Sequence, residues 1–202
     1  LVDMNGDGLG DWVEENTVYL NTGGGWEATS SWPSLPVSNI HLENRLVDVN
    51  GDLLPDIVTF KKESWDPSWE EDDVYTKSVR LNQGDGTWVV DSALADTLPG
   101  DLYWYHHGYP SGHSEYIRDV FFVDMNGDGL NDWIYDGYVY LNTGAGWATT
   151  SSWARLQSGS ESFDAKWRLS DVNGDGLPDL IKSDTVMYES QLSGTDTYKD
   201  DV

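Results

Sequence analysis

Residues 2–13 have the sequence Val-Asp-Met-Asn-Gly-Asp-Gly-Leu-Gly-Asp-Trp-Val, and residues 123–134 have the sequence Val-Asp-Met-Asn-Gly-Asp-Gly-Leu-Asn-Asp-Trp-Ile. Both segments continue to Val-Tyr-Leu-Asn-Thr-Gly, at Val18–Gly23 and Val139–Gly144. Two further loops of the same kind are present, so the chain is predicted to be a repeat protein. The four loops have the form Asp-x-Asn-Gly-Asp-x-x-x-Asp and start at Asp3, Asp48, Asp124 and Asp171.

The spacing of the loops predicts the domain organisation. We expect one repeat domain over residues 1–202, with repeats at about 1–44, 45–121, 122–167 and 168–202. The second repeat is the longest because it holds two insertions. One is acidic and rich in tryptophan, at 61–73, and the other is aromatic and contains histidines, at 101–113.

Short apolar runs indicate β-strands. Val18-Tyr19-Leu20, Val79-Arg80-Leu81 and Val139-Tyr140-Leu141 each end in a turn rich in Asn and Gly, which is typical of hairpins. No long apolar stripe of 3.6-residue period occurs, so we expect little helix. Several short strands per unit of roughly 45 residues predict an all-β fold, a β-propeller-like array of four blades, whole or partial, with the acidic loops between strands.

Charge and composition exclude several classes of function. The net charge of −25, from 36 acidic and 11 basic residues, argues against a nucleic-acid partner, because phosphate binding requires a basic surface. The absence of cysteine excludes disulfides, cysteine-zinc sites and thiol catalysis. No apolar run is long enough for membrane insertion. A secreted chain without disulfides requires another stabilising device, and bound metal is one.

The acidic loops have the donors that calcium prefers. Calcium binds about six to eight oxygens at roughly 2.3–2.6 Å. Positions 1, 3, 5 and 9 of each loop offer Asp, Asn, Asp and Asp, and position 7 is a leucine whose carbonyl is the natural backbone ligand. We therefore expect up to four Ca²⁺ ions. The predicted ligands are Asp3, Asn5, Asp7, Leu9 and Asp11; Asp48, Asn50, Asp52, Leu54 and Asp56; Asp124, Asn126, Asp128, Leu130 and Asp132; and Asp171, Asn173, Asp175, Leu177 and Asp179.

The backbone of each loop is expected to turn tightly. Glycine at position 4, and at position 6 in three loops, permits the positive φ that such wrapping requires. Leu53 stands at position 6 of the second loop, so that loop is expected to bind calcium most weakly. The leucine at position 7 is expected to point into the core. An ordinary turn would not by itself explain the aspartate at position 9.

An EF-hand is the nearest rival among calcium loops. It requires a glutamate at position 12 and flanking helices. Position 12 is Glu14 in the first loop but Thr59, Tyr135 and Lys182 in the others. The flanking segments are strand-like, so the EF-hand and dockerin alternatives are excluded on both grounds.

The four loops and the Val-Tyr-Leu-Asn-Thr-Gly-x-Gly-Trp segments resemble FG-GAP/VCBS-type repeats, which are related to the calcium-bearing blades of integrin α-subunit propellers. The resemblance implies that each loop links two strands of a blade and cages calcium with its Asp and Asn residues. The match covers the loops and hairpins but not the two insertions or the C-terminal tail. The Phe-Gly and Gly-Ala-Pro sequences to which the name FG-GAP refers do not occur in this chain.

Aromatic and histidine residues of the insertions have more than one interpretation. Trp65, Trp69, Trp104 and Tyr109 could stack on sugar rings or cover the core beneath an insertion. A zinc site and an ordered aromatic loop are both open for His106, His107 and His113. No phosphate loop, zinc-protease motif or nucleophile elbow is present, so an enzyme is not expected.

These observations predict a calcium-binding extracellular or cell-surface protein with a structural or adhesive role. It would be a piece of a larger surface or filament-forming assembly. The alternatives are a carbohydrate-binding, lectin-like module and the propeller scaffold of a toxin-like surface protein. Incomplete blades leave unpaired strand edges, so the expected partner is another copy packed head to tail, or the rest of a longer chain.

Overall fold

The structure, a computed structural model, describes residues 1–28, 32–37, 43–62, 75–99, 103–105, 115–117, 120–135, 137–149, 156 and 167–182. These residues form short antiparallel strands and one short helix, which confirms the predicted all-β class. In chain order the elements are β1 (Trp12–Glu14), β2 (Thr17–Asn21), β3 (Trp26–Ala28), β4 (Asn44–Val47), β5 (Asp56–Lys62), β6 (Tyr75–Asn82), β7 (Trp88–Val90), α1 (Ser92–Thr97), β8 (Tyr103–Tyr105), β9 (Glu115–Ile117), β10 (Val120–Val123), β11 (Asp132–Tyr135), β12 (Tyr138–Asn142), β13 (Trp147–Thr149), β14 (Trp167–Ser170) and β15 (Asp179–Lys182).

Each sheet contains strands that follow one another in the chain. Sheet 1 holds β1 to β3, sheet 2 holds β4 to β7, sheet 3 holds β10 to β13 and sheet 4 holds β14 and β15. The strands β8 and β9 form a separate hairpin. All neighbouring strands are antiparallel, and none of the sheets closes into a barrel. Short turns join β1 to β2, β2 to β3 and β12 to β13, and a short turn can join only antiparallel neighbours.

The predicted glycine-rich turns are present as hairpin connections. The N–H of Thr22 donates to the carbonyl of Gly25 at 2.9 Å, and the N–H of Thr143 donates to the carbonyl of Gly146 at the same distance. The predicted runs around Val18, Val79 and Val139 lie in β2, β6 and β12. Local sequence therefore places these strands and their turns correctly.

Clusters of buried apolar side chains lie between consecutive sheets, so the four sheets pack face to face in chain order. Sheets 1 and 2 meet at Met4 and Ile57, and sheets 3 and 4 meet at Ile134 and Leu180. The buried members of the cluster between sheets 2 and 3 are Val49, Val58, Phe60, Val79, Leu94, Ala95, Leu98, Trp133 and Trp147.

Neighbouring residues of a strand face opposite sheets, as strand geometry requires. In β11, Trp133 packs toward sheet 2, whereas Ile134 packs toward sheet 4. In β5, Ile57 packs toward sheet 1 and Val58 toward sheet 3. Each sheet therefore has a front face, which is directed toward the preceding sheet, and a back face, which is directed toward the following one.

The helix α1 was not predicted from the sequence. Asp91 caps its N-terminus by accepting the N–H of Leu94 at 3.0 Å. Leu94 and Leu98 are buried in the cluster between sheets 2 and 3, and Thr97 Oγ1 accepts the N–H of Trp147 at 3.1 Å. The sequence Asp91-Ser92-Ala93-Leu94 has a residue suited to cap a helix, followed by helix-forming residues. A helix this short, however, shows no recognisable 3.6-residue pattern of apolar residues.

Among the described residues, no helix is long and apolar enough to cross a membrane. Several residues singled out in the sequence lie outside the described part of the chain, namely Trp65, Trp69, His106, His107, Tyr109 and His113. Trp104 belongs to β8.

Candidate metal centre

The four acidic loops occupy equivalent places in the four sheets. Each connects two paired strand segments at the beginning of its sheet: the Val2–Asp11 bridge in sheet 1, β4 and β5, β10 and β11, and β14 and β15. The loops are therefore presented by rigid sheet edges. This repetition brings the predicted ligands of each loop together locally, and it keeps the four sets separate.

The aspartate at position 1 organises the backbone of its loop. In the third loop, Asp124 Oδ1 accepts the N–H of Gly127 at 2.7 Å, and its Oδ2 accepts the N–H of Gly129 at 2.8 Å. At position 5, Asp128 Oδ1 accepts the N–H of Leu130 at 2.9 Å. The other loops have the same three bonds, with distances between 2.7 and 2.9 Å.

Positive φ occurs where the sequence predicts it. Positions 4 and 6 of the first loop, Gly6 and Gly8, have φ of 75° and 85°. Leu53 at position 6 of the second loop has φ of 71°, and its N–H still donates to Asp48 Oδ2 at 2.8 Å. The second loop therefore keeps the shared conformation at the cost of a strained leucine, about 1–2 kcal/mol for a residue with a Cβ.

The aspartate at position 9 has a structural role that was not predicted from the sequence. Asp132 is fully buried; its Oδ2 accepts the N–H of Met125 at 2.9 Å, and its Oδ1 accepts the N–H of Asn142 at 2.8 Å. Asp11 and Asp56 make the equivalent pairs of bonds. An ordinary turn does not account for this aspartate, because its carboxylate ties the loop to the end of the following hairpin.

The fourth loop differs at this position. Asp179 Oδ2 accepts the N–H of Val172 at 3.0 Å, but its Oδ1 is approached by the side-chain amide of Asn173 at 3.5 Å. The carboxylate is half-buried rather than buried. Within the described residues, the fourth carboxylate is thus the least enclosed of the position-9 group.

Burial raises the pKa of two of the position-9 carboxyl groups. Desolvation raises the pKa of Asp56 from 3.8 to about 7, against the opposing effect of the N–H groups of Val49 and Asn82. Burial also raises the pKa of Asp132. At the exposed position 1 of the fourth loop, N–H groups of Gly176 and Gly174 lower the pKa of Asp171. Burial at position 9 of the second and third loops and N–H donors at position 1 of the fourth loop therefore shift the pKa in opposite directions.

The leucine at position 7 does not enter the core as predicted. Leu9 and Leu177 are exposed, and Leu54 and Leu130 are half-buried. Leu54 instead lies against the preceding loop: a Cβ added at Gly6 would be 3.1 Å from its Cδ2. The position-7 side chain is therefore a contact between consecutive loops.

The donor set of each loop consists of oxygen atoms, which fits a hard divalent cation. In the described part of the chain, however, no group of three or more His, Asp or Glu side chains is already gathered closely enough to hold a metal ion. The carboxylates of positions 1 and 9 accept backbone N–H groups, and Asn5 Nδ2 donates to Asp7 Oδ2 at 3.1 Å. These hydrogen bonds hold the backbone of the loop in its wrapped conformation.

No protein-family model, curated protein or solved structure matches this chain.

Proposed function

We propose that the chain is a calcium-binding repeat protein with a structural or adhesive role in an extracellular, calcium-containing medium. One observation carries this proposal: the four loops share three hydrogen bonds, made by the aspartates at positions 1 and 5, and the same positive-φ backbone, even where leucine replaces glycine. A shared conformation kept at the expense of strain indicates a shared task. The face-to-face packing of the four sheets in chain order supports the propeller-like arrangement that we propose for the array.

Electrostatics favours cation binding over a purely structural loop. Each loop has three aspartates within nine residues and contains neither lysine nor arginine. Hydrogen bonds account for positions 1 and 9, but the position-5 carboxylates, such as Asp7, are exposed and are bonded only within their loop. On a chain of net charge −25, a row of such carboxylates opposes folding unless cations offset the repulsion.

The residues that would hold the ion follow from the donor set. In the first loop they are the side chains of Asp3, Asn5, Asp7 and Asp11 and the carbonyl of Leu9, with the equivalent positions in the other loops. A bound calcium ion supplies positive charge at the centre of these oxygens. The role of the chain is to keep the loop backbone wrapped, through Asp3, and tied to its sheet, through Asp11.

Calcium titration of the chain tests the proposal. We expect up to four ions per chain, with the loop containing Leu53 the weakest, because leucine must be held at φ of 71°. Leu53→Gly is expected to tighten that site by up to roughly tenfold, because bound calcium then no longer has to hold a leucine strained by about 1–2 kcal/mol against relaxation of the loop. The Leu53 side chain is 84 % exposed, so its removal disturbs no packing.

The reciprocal substitution is the matched control. Gly129 has the same position in the third loop, and a Cβ there would meet no atom within 4 Å. Gly129→Leu is therefore expected to weaken the third site without a steric clash. An absence of calcium binding at millimolar concentration would refute the function, and weaker binding by Leu53→Gly would refute the ranking of the sites.

Calcium affinity is expected to fall as the pH is lowered through about 7 at the second loop. The raised pKa of Asp56 means that its carboxyl is largely protonated below about pH 7, and this proton must leave before the carboxylate can bind. Each pH unit below the pKa is expected to weaken this site by up to about tenfold. Calorimetry in two buffers of different ionisation enthalpy would count the released proton, which Asp56→Asn should abolish. Equal proton release by Asp56→Asn and the unchanged chain would contradict this assignment.

The carbohydrate-binding alternative depends mainly on Trp65, Trp69, Trp104 and Tyr109, whose side chains lie outside the described part of the structure. Calcium binding is therefore the function that the described residues support best.

A further inference from the structure

The contact between one sheet and the next, here called a joint, also brings neighbouring acidic loops together. The leucine at position 7 of one loop lies against the glycine at position 4 of the preceding loop, where a Cβ added to that glycine would be 3.1 Å from the leucine Cδ2. The pairs are Leu54 on Gly6, Leu130 on Gly51 and Leu177 on Gly127. Consecutive loops are therefore in direct contact at each joint.

At the first joint, a buried asparagine binds both loops. The N–H of Asn82, at the end of β6, donates to Oδ1 of Asp56 in the second loop at 2.8 Å. Its side-chain Nδ2 donates to the carbonyl of Met4 in the first loop, also at 2.8 Å. One residue thus connects position 9 of its own loop with position 2 of the preceding loop.

The second joint repeats this arrangement and adds a further bond. The N–H of Asn142 donates to Asp132 Oδ1 at 2.8 Å, and its Nδ2 donates to the carbonyl of Val49 at 2.7 Å. Asn131, at position 8 of the third loop, donates from Nδ2 to the carbonyl of Asp48 at 2.8 Å. The second loop has a proline at position 8, and its side chain has no donor. Two side-chain amides therefore link the second and third loops.

Within each of these loops, the position-9 carboxylate continues the connection. Its Oδ2 accepts the N–H at position 2 of the same loop. An unbroken series of hydrogen bonds, each 2.7–2.9 Å long, therefore runs from Asp11 through Asp56 to Asp132. The residues that form it are at most 3 % exposed, and they are Met4, Asp11, Val49, Asp56, Asn82, Met125, Asp132 and Asn142.

Burial makes these bonds difficult to break one at a time. A loop that opens withdraws its position-2 carbonyl or its position-9 carboxylate. The asparagine of the joint then keeps a donor without an acceptor in a place from which water is excluded. The leucine of the next loop also loses the glycine on which it rests. Opening of one loop therefore favours opening of its neighbour, which is the condition for coupling between two sites.

We propose that the first three loops open and close as one unit, so that calcium bound in one loop raises the affinity of the next through Asn82 and Asn142. This inference rests on the proposed function, because it concerns how the proposed calcium sites act on one another. A closed loop makes closing easier for its neighbour, and the effect is reciprocal. We expect roughly five- to tenfold coupling at the first joint and stronger coupling at the second, where Asn131 adds a bond.

Site-resolved calcium titration of Asp52→Asn measures the coupling. Asp52 is exposed and bonded only within the second loop, so the change removes a ligand charge and leaves both joints intact. The N–H groups of Gly8 and Gly129 donate to position-1 carboxylates, and their nuclear magnetic resonance signals report on the first and third loops. Loss of calcium from the second loop should weaken binding roughly five- to tenfold in the first loop and more in the third. Unchanged affinities would overturn the proposal.

Cutting one joint should abolish the coupling there and leave it at the other. In an Asn82→Ala background, Asp52→Asn should no longer affect the first loop but should still weaken the third, which also shows that the chain is folded. Asn21→Ala is the matched control. Like Asn82→Ala, it removes the side-chain acceptor of a glycine N–H in a hairpin turn, but the amide of Asn21 donates to Gly10 of its own loop. Coupling that persists in Asn82→Ala would overturn the role of this residue.

A milder variant keeps the test decisive if Asn82→Ala does not fold. Asn131→Gly gives the third loop the residue that the first loop has at position 8, and it removes the side-chain bond to the carbonyl of Asp48. The coupling between the second and third loops should fall to about the level of the first joint. An unchanged effect of Asp52→Asn on the third loop would overturn the assignment of the coupling to these side-chain amides.

Hydrogen exchange in excess chelator separates this inference from the calcium function. The N–H groups of Met4, Val49 and Met125 each donate to a position-9 carboxylate, so loops that open together should give them one common protection factor. Asn82→Ala should lower the protection of Met4 relative to the other two. Calcium binding without this change would refute only the coupling. The change in a chain that binds no calcium would support coupled opening and refute the proposed function.

Discussion

Removal of calcium is expected to lower the melting temperature of the chain by roughly 20–40 °C. A ligand at about 100 times its Kd stabilises the folded state by about 2.7 kcal/mol per site, so four sites would contribute about 11 kcal/mol. Domains of this size change their melting temperature by about 2–4 °C per kcal/mol. Since whole domains are stable by only about 5–15 kcal/mol, the calcium-free chain is expected to be marginal. Circular dichroism during heating, with and without chelator, measures the effect.

Two variants control this measurement. Asp7→Asn removes one exposed carboxylate from the first loop, and it should reduce the difference between the two conditions by about a quarter if the sites contribute equally. Asp96→Asn removes an exposed carboxylate in α1, away from the loops, and should leave the difference unchanged. A melting curve that does not change in excess chelator, or that changes equally for both variants, would contradict a role for calcium in stability.

Replacing Trp133 with alanine is expected to destabilise the chain by roughly 3–5 kcal/mol, or by roughly 6–20 °C in melting temperature. Its ring is fully buried between sheets 2 and 3, with the ring centroids of Phe60 and Phe122 at 4.8 and 4.9 Å. Truncation would leave a cavity at the joint between the two sheets. Urea unfolding in saturating calcium, followed by tryptophan fluorescence, measures the loss.

Trp12→Ala is the matched control, because Trp12 occupies the same position in the first repeat. Its ring is exposed and contacts Tyr19 across the strand pair at a centroid distance of 5.4 Å. We expect a loss of at most about 1 kcal/mol from this cross-strand pair in the monomer. Equal losses for the two variants would contradict the assignment of Trp133, and not Trp12, to an internal joint.

Much of the local structure follows from neighbouring residues along the chain. Val18-Tyr19-Leu20 and its counterparts become strands because β-branched and aromatic residues suit a pleated surface, and Asn with Gly closes each hairpin. The wrapped backbone of each acidic loop is also local, because Asp3 or its equivalent accepts N–H groups no more than five residues away. Even the strain at Leu53 was predictable, since the pattern requires glycine there.

The use of the position-9 aspartates could not be predicted in this way. Asp11 and Asp56 accept N–H groups from Asn21 and Asn82, which are 10 and 26 residues further along the chain. Nothing in the nine-residue pattern shows that a strand end would supply these donors. The raised pKa of Asp56 has the same origin, because enclosure by the completed sheet removes its carboxylate from water.

The contrast between Trp12 and Trp133 shows most clearly which features local sequence determines and which depend on tertiary contacts. Both follow the same acidic loop in nearly identical sequence, and both lie in strands with the same register, Trp12 opposite Tyr19 and Trp133 opposite Tyr140. Sequence therefore specifies the strand, the pairing and the face on which each ring lies. Whether that face is core or surface depends on another sheet: sheet 2 covers Trp133, whereas Trp12 is exposed. Burial is a relation between segments far apart in the chain, so identical local sequences acquire opposite environments.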